Sequence, residues 1–150
     1  MKYFLGLMIV SGLFLVSCNK TEITRVQNVV SLDMSTASDS LGKATYNGMI
    51  IRTQAEFDTL MMMTGDTFSF PGLQGTEVLL ICSQKVQNGI DAWAEVYSIT
   101  EKKKGTTYAF KYMTSERPDY IYGLWTTLAV IVDLGDQNPE ISFYEEYRGN

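Results

Sequence analysis

Val78-Leu79-Leu80-Ile81-Cys82-Ser83-Gln84-Lys85, then Gln87-Asn88-Gly89-Ile90, then Trp93-Ala94-Glu95-Val96-Tyr97-Ser98-Ile99-Thr100: this succession of strand, turn and strand sets the fold class. The first run is apolar without interruption from Val78 to Cys82, as expected of a strand buried on both faces. An Asn-Gly pair between two strand-like runs is the strongest short-range hairpin signal, because both central residues of a type I′ turn need positive φ. The returning run is rich in aromatic and β-branched residues, which suit a pleated, half-buried surface. The expectation is a hairpin of two antiparallel strands.

Downstream, Glu101-Lys102-Lys103-Lys104-Gly105 closes a second hairpin, and Tyr108, Phe110 and Tyr112 then share one strand face. After a loop at Pro118 come Leu124 to Val132, a turn at Gly135 to Pro139, and Ile141 to Tyr147 with Ile141, Phe143 and Tyr147 on one side. Upstream, Met49 to Arg52 reads as a short strand leading into Thr53-Gln54-Ala55-Glu56, a capping box that starts a helix. Phe57, Leu60 and Met61 fall on one helical face, Thr64-Gly65-Asp66 ends the helix, and Met61 to Met63 read as a core stripe with one Met at its exposed margin. Phe68 to Gly72 form an aromatic loop before the first long strand. No βαβ spacing appears, so the fold class is α+β: one packed helix with a mainly antiparallel meander, sandwich or half-barrel of about five strands, in a single domain over residues 47–150.

The N-terminus carries an address. Lys2 supplies a positive n-region and Tyr3 to Val16 an apolar run, too short for a bilayer-spanning helix of roughly 20 residues. It ends in Leu15-Val16-Ser17-Cys18, which resembles a bacterial lipobox. That resemblance implies a signal peptide over residues 1–17, acylation of Cys18 with fatty chains such as palmitate, and a lipoprotein anchored to a membrane of the cell envelope. Asn19, not Asp, follows the Cys, which favours the outer membrane over the inner, facing periplasm or surface. Residues 18–46, rich in Ser, Thr, Asn and Asp, read as a flexible tether, with Val26, Val29, Val30 and Leu32 leaving room for one short strand.

Composition narrows the chemistry. The 150 residues contain no His, which excludes a Ser-His-Asp triad, a Cys-His pair and a His-ligated zinc. Twelve Lys and Arg against 17 Asp and Glu give a net charge of −5 with no long basic stripe, so a nucleic-acid partner lacks its electrostatic footprint. Acylation of Cys18 would leave Cys82 as the sole thiol, read as a buried and inert one. A glycosidase-like carboxylate pair finds no support: Glu145 and Glu146 are adjacent on a strand and point to opposite faces, and only Glu95 or Asp91 with Asp133 is left to consider. Asp133, Asp136, Asn138 and Glu140 match no calcium loop. The chain is read as a non-enzyme without cofactor or metal.

The order Ile50-Ile51-Arg52-Thr53-Gln54-Ala55-Glu56-Phe57 with Leu60, Phe68 to Phe70, Val78 to Ile81, a glycine turn, and Glu95-Val96-Tyr97-Ser98-Ile99 resembles the domain of PrcB-like proteins, lipoprotein accessory subunits of a surface protease complex. That resemblance implies binding of a protein partner in the envelope. The contact residues expected are Gln87, Asn88, Gly89, Ile90 and Asp91 of the turn and the aromatics Trp93, Tyr97, Tyr120, Tyr122 and Trp125, because exposed Tyr and Trp offer large rigid surfaces with a polar tip. The same aromatics would serve a second reading, binding of a glycan or small ligand, provided Trp93 and Trp125 share one concave face.

Overall fold

A computed structural model of the chain describes residues 21–87, 90–101, 104–117, 123–135 and 138–148. The elements are β1 (Thr21–Arg25), β2 (Val29–Leu32), α1 (Asp39–Ala44), β3 (Met49–Ile51), α2 (Gln54–Thr64), β4 (Glu77–Val86), β5 (Ala92–Glu101), β6 (Gly105–Thr114), β7 (Leu124–Asp133) and β8 (Ile141–Tyr147). They build an α+β fold of two four-stranded sheets, ordered β1-β5-β6-β8 and β2-β7-β4-β3, which do not close into a barrel. Every pairing is antiparallel except β6 with β8.

Burial explains the arrangement. In β4, residues Val78 to Gln84 are all buried, so the strand needs cover on both faces. Its even-numbered side chains, Val78, Leu80 and Cys82, meet Val96, Phe110, Tyr112, Val130 and Val132 between the sheets. Its odd-numbered Leu79 and Ile81 pack with Leu41, Phe57, Leu60 and Met61 beneath the helices. The result is three layers: helices, the β4 sheet, the β5 sheet. Each such side chain contributes roughly 1.5–3 kcal/mol by leaving water.

The helix read from Thr53 forms as expected. Glu56 N–H donates to Thr53 Oγ1 at 3.2 Å, Thr53 N–H donates to Glu56 Oε2 at 3.1 Å, and Gly65 ends the helix in the left-handed region at φ 76°. Phe57, Leu60 and Met61 are its buried stripe. Two methionines, Met62 and Met63, stand exposed, not one.

Three expectations are corrected. The run from β4 to β5 is not a hairpin, because β4 already has β3 and β7 on its two edges; β5 pairs instead with β1 and β6 in the opposite sheet. From β4 to β5 the chain therefore changes layer, and the same alternation at β1–β2, β6–β7 and β7–β8 replaces the meander. The stretch read as a tether up to residue 46 is folded from Thr21, so the domain does not begin at residue 47: β1 adds to the edge of β5, β2 to the edge of β7, and α1 is a second helix. Its polar residues act as caps. Ser38 Oγ accepts from Leu41 N–H at 3.1 Å, while Ser38 N–H and Oγ–H donate to the Asp66 carboxylate at 3.0 and 2.7 Å, tying α1 to the end of α2. The hairpin at Glu101–Gly105 is present, with Lys104 N–H donating to Glu101 O at 3.1 Å and Gly105 at φ 87°.

Candidate functional site

The strand register gives the sandwich two ends. At one lie Thr21 opposite Glu101, the β5–β6 turn, and Glu77 opposite Asp133. At the other lie Val86 opposite Leu124, Ala92 opposite Thr114, and Thr114 opposite Tyr147. Strands of 10 residues set the ends about 33 Å apart. Among the described residues, the second end gathers five of the expected contact residues, Gln87, Ile90, Asp91, Trp93 and Trp125, while Tyr97 lies midway along β5. Gln87 and Asp91 are exposed there, Ile90 half-buried, with Ile90 N–H donating to Gln87 O at 3.2 Å and Ser115 N–H to Asp91 O at 3.1 Å. Trp93 and Trp125 sit near this end at the starts of β5 and β7. Asn88, Gly89, Tyr120 and Tyr122, like Cys18, lie outside the described residues.

The two tryptophans do not share a platform. Trp93 alternates with the core-facing Ala92, Ala94 and Val96, so it faces outward from the β5 sheet. Trp125 is on the helix side of β7, edge-on to Tyr46 with ring centroids 5.8 Å apart, and so close beneath Gly42 that a Cβ there would stand 2.6 Å from its Cβ. Trp125 is a packing plate for α1. The helices thus cover one sheet, while the outer face of the other carries Ile23, Tyr97, Ile99 and Tyr144 around a shallow depression of about 360 Å³. Ile23 is 64% exposed and Tyr144 and Tyr147 52% each. Tyr144 and Arg148 escaped the sequence reading, which took only Ile141, Phe143 and Tyr147 of this strand as one side; Tyr144 stands on the opposite, outer side and Arg148 follows the strand.

Glu95 organises that outer face although its side chain is only 4% exposed. Its carboxylate accepts from Tyr97 Oη at 2.5 Å and Trp93 Nε1 at 3.3 Å, and pairs with Arg25 at 3.5 Å and Arg148 at 3.3 Å. The Lys111 ammonium stands 4.9 Å over the Tyr97 ring and pairs with Glu146. One acid thereby holds β1, β5 and the segment after β8. It is not half of a carboxylate pair, since Asp133 belongs to the other sheet, at the other end, bound to Thr76 and Gly135.

Burial pushes the Glu95 carboxyl upward, but the Tyr97 and Trp93 hydrogen bonds and the two arginines outweigh it and hold it below the usual glutamate range. The native state therefore binds this proton less readily than the unfolded chain. The stabilisation is fully present above the unfolded value near pH 4.5 and is lost as pH falls through the lower folded value. Urea midpoints measured between about pH 6 and pH 2 should fall less steeply with acid in Glu95→Gln than in the wild type. Parallel acid limbs would show that Glu95 contributes nothing to the slope.

Cys82 is buried, and its thiol donates to Tyr46 O at 3.8 Å. Burial, with a lesser push from the Glu145 carboxylate and against a hydrogen bond at Ser83, takes its pKa up to about 12, so it is not a thiolate nucleophile at neutral pH. Among the described residues no group of three or more Cys, Asp or Glu is arranged to hold a metal ion, and no helix is long and apolar enough to cross a membrane. No family model, curated protein or solved structure matches this chain.

Proposed function

We propose that this is a non-enzymatic lipoprotein of the bacterial cell envelope, anchored through Cys18, that binds a protein partner with the end of the sandwich around residues 87–93 and the connection leading to Trp125, in the manner of a PrcB-like accessory or assembly subunit. The observation that carries the reading is the opposition of the two ends. The described fold starts at Thr21, three peptide units after Cys18, a reach of about 11 Å at most. Gln87, Ile90, Asp91, Trp93 and Trp125 lie at the other end, the part of the described domain farthest from that attachment point and available to a partner in the aqueous compartment. The half-exposed aromatics Trp93, Tyr97 and Tyr147 and the charges of Lys111, Arg148 and Glu146 beside them give the mixture of rigid apolar area and polar rim that protein interfaces use.

Co-purification from detergent-solubilised membranes after mild crosslinking tests it. The wild type should retain a discrete partner, and Trp93→Ala should weaken retention by roughly 30-fold, the effect of removing an aromatic hot spot of about 2 kcal/mol. Lys104→Ala, at the opposite end, should leave retention unchanged. A chain that emerges alone, or one that loses its partner through Lys104→Ala and keeps it through Trp93→Ala, overturns the reading.

A further inference from the structure

An apolar cavity of about 290 Å³ lies on the helix side of the β2-β7-β4-β3 sheet. Its floor is made by Ile81 of β4 and Ala129 of β7, which stand opposite each other, and Ala129 also stands opposite Leu32 of β2. A methyl group between two longer side chains leaves a hollow in the sheet. Phe57 of α2 and Met34, both buried, border the hollow, and Phe68 and Phe70, from the stretch between α2 and β4, complete the lining. These last two are only half-buried, so the space is reached past their rings. Packed interiors hold few voids larger than a water molecule, whereas this one has about ten times the roughly 30 Å³ that a water occupies.

The lining selects what fits. The Phe57 and Phe70 rings are tilted to each other with centroids 5.5 Å apart, and together with the Phe68 ring and the Met34 thioether they offer edges and faces to a further ring. Polar groups find nothing there: the one buried side-chain atom without a hydrogen-bond partner among the described residues, Gln84 Oε1, lies in a different cavity. A donor or acceptor carried into the space would therefore lose its water without replacement. Asp33, exposed, is the only ionisable residue of the lining and sets a negative charge beside the opening, which disfavours an anion. We propose that this cavity binds one uncharged aromatic ring system. A dry apolar cavity of roughly 150 Å³ already accepts benzene, so the volume here leaves room for an alkyl substituent or a second fused ring. Ile81 and Ala129 lie five residues along their strands from Val86 and Leu124, roughly 17 Å, and no residue of the lining belongs to the proposed contact set, so the site stands or falls independently of that reading.

The test is a titration of the full chain, ¹³C-labelled at Met and Ala methyl groups in detergent micelles, with toluene. The signals to follow are those of Met34 and Ala129, which are 6% and 2% exposed and so out of reach of the detergent. Saturable shifts with a Kd on the order of millimolar are expected for so few heavy atoms. Ala129→Leu, which fills the hollow, should abolish the shift at Met34 while the spectrum stays dispersed, and the milder Ala129→Val should weaken binding at least about threefold, which keeps the test intact should leucine distort the sheet. Benzoate should bind at least about tenfold more weakly than toluene. Methylcyclohexane, compared at equal concentration in the micelle so that the difference in hydrophobicity cancels, should bind at least about twofold more weakly. A capped Gly-Phe-Gly peptide that binds more tightly than toluene identifies the source as an aromatic side chain of a protein; equal or weaker affinity identifies a free aromatic compound, and either supports the site. The inference is overturned if the wild type shows no saturable shift, if a folded Ala129→Leu or Ala129→Val binds as well as the wild type, or if benzoate or methylcyclohexane saturates the same signals with equal affinity.

Discussion

Gly48→Ala is expected to destabilise the fold by about 3 kcal/mol and to lower its Tm by roughly 10 °C. Two separate penalties meet at this residue. Its φ is 81°, in the left-handed region where an L side chain costs about 1 kcal/mol or more. In addition, a Cβ built there would fall 2.1 Å from Phe143 Cγ and 2.2 Å from Cδ1, inside the ring. Phe143 cannot yield cheaply, because it packs on the inter-sheet core with its ring centroid 5.4 Å from that of Phe110. The turn before β3 and the edge strand β8 are thus fitted face to ring, and a methyl group between them separates the two sheets at that edge. Gly65→Ala is the control: its φ is 76° but its Cβ would meet nothing within 4 Å, so only the conformational term of about 1 kcal/mol applies. A double-mutant cycle with Phe143→Ala should recover the steric part and leave the φ part. Equal melting temperatures for Gly48→Ala and Gly65→Ala would show that the Phe143 contact carries no energy.

Neither Gly48 nor Phe143 could have been paired by reading the chain, and the reason is general to this fold. What was legible is what one segment's own chemistry determines. The reciprocal bonds of Thr53 and Glu56 depend only on a spacing of three, and α2 starts where they place it. Continuous burial of β4 follows from a run with no polar face. The β5–β6 hairpin follows from a glycine able to take φ 87°. What was missed depends on partners distant in sequence. All five residues of β1 are exposed, so it has no apolar period; it is ordered by its ladder with β5 and by the Arg25–Glu95 pair. Ser38 resembled linker composition until Asp66, 28 residues on, received its hydrogen bonds. Asn88-Gly89 carried a local turn preference, but β4's edges were taken by β3 and β7, and occupancy of a sheet decides pairing over turn propensity. The proposed contact residues were chosen by type, because aromatic excess is a count, and their faces could not be read: the one-residue alternation of a strand puts Trp93 outside one sheet and Trp125 under α1 on the other.

Cys18→Ser is expected to abolish membrane anchoring without altering the fold. The thiol is the only group at that position that can form the thioether to a diacylglyceryl unit, and a serine hydroxyl at the same place is not modified. Each buried CH₂ contributes about 0.8 kcal/mol to membrane binding, so two or three acyl chains on Cys18 would hold the protein essentially permanently, and their loss would be all or none. The fold should be indifferent, since the first residue with a described structural partner is Thr21, against Glu101. If Cys18 carries the proposed anchor, three peptide units would link it to β1, so the Thr21 end of the sandwich should lie near the lipid surface with little slack, in place of the long tether that the polar composition suggested. Metabolic labelling with an alkyne fatty acid should mark the wild type and not Cys18→Ser, with the variant freely extractable and its melting temperature within about 2 °C of the wild type. An insertion of a flexible Gly-Ser segment after Lys20 should keep the label and add slack, increasing the access of proteases to the β5–β6 turn, which the proposed anchoring would seat beside the membrane. A wild type that is unlabelled and freely soluble refutes the anchor, and equal protease access with and without the insertion refutes the close seating of the Thr21 end.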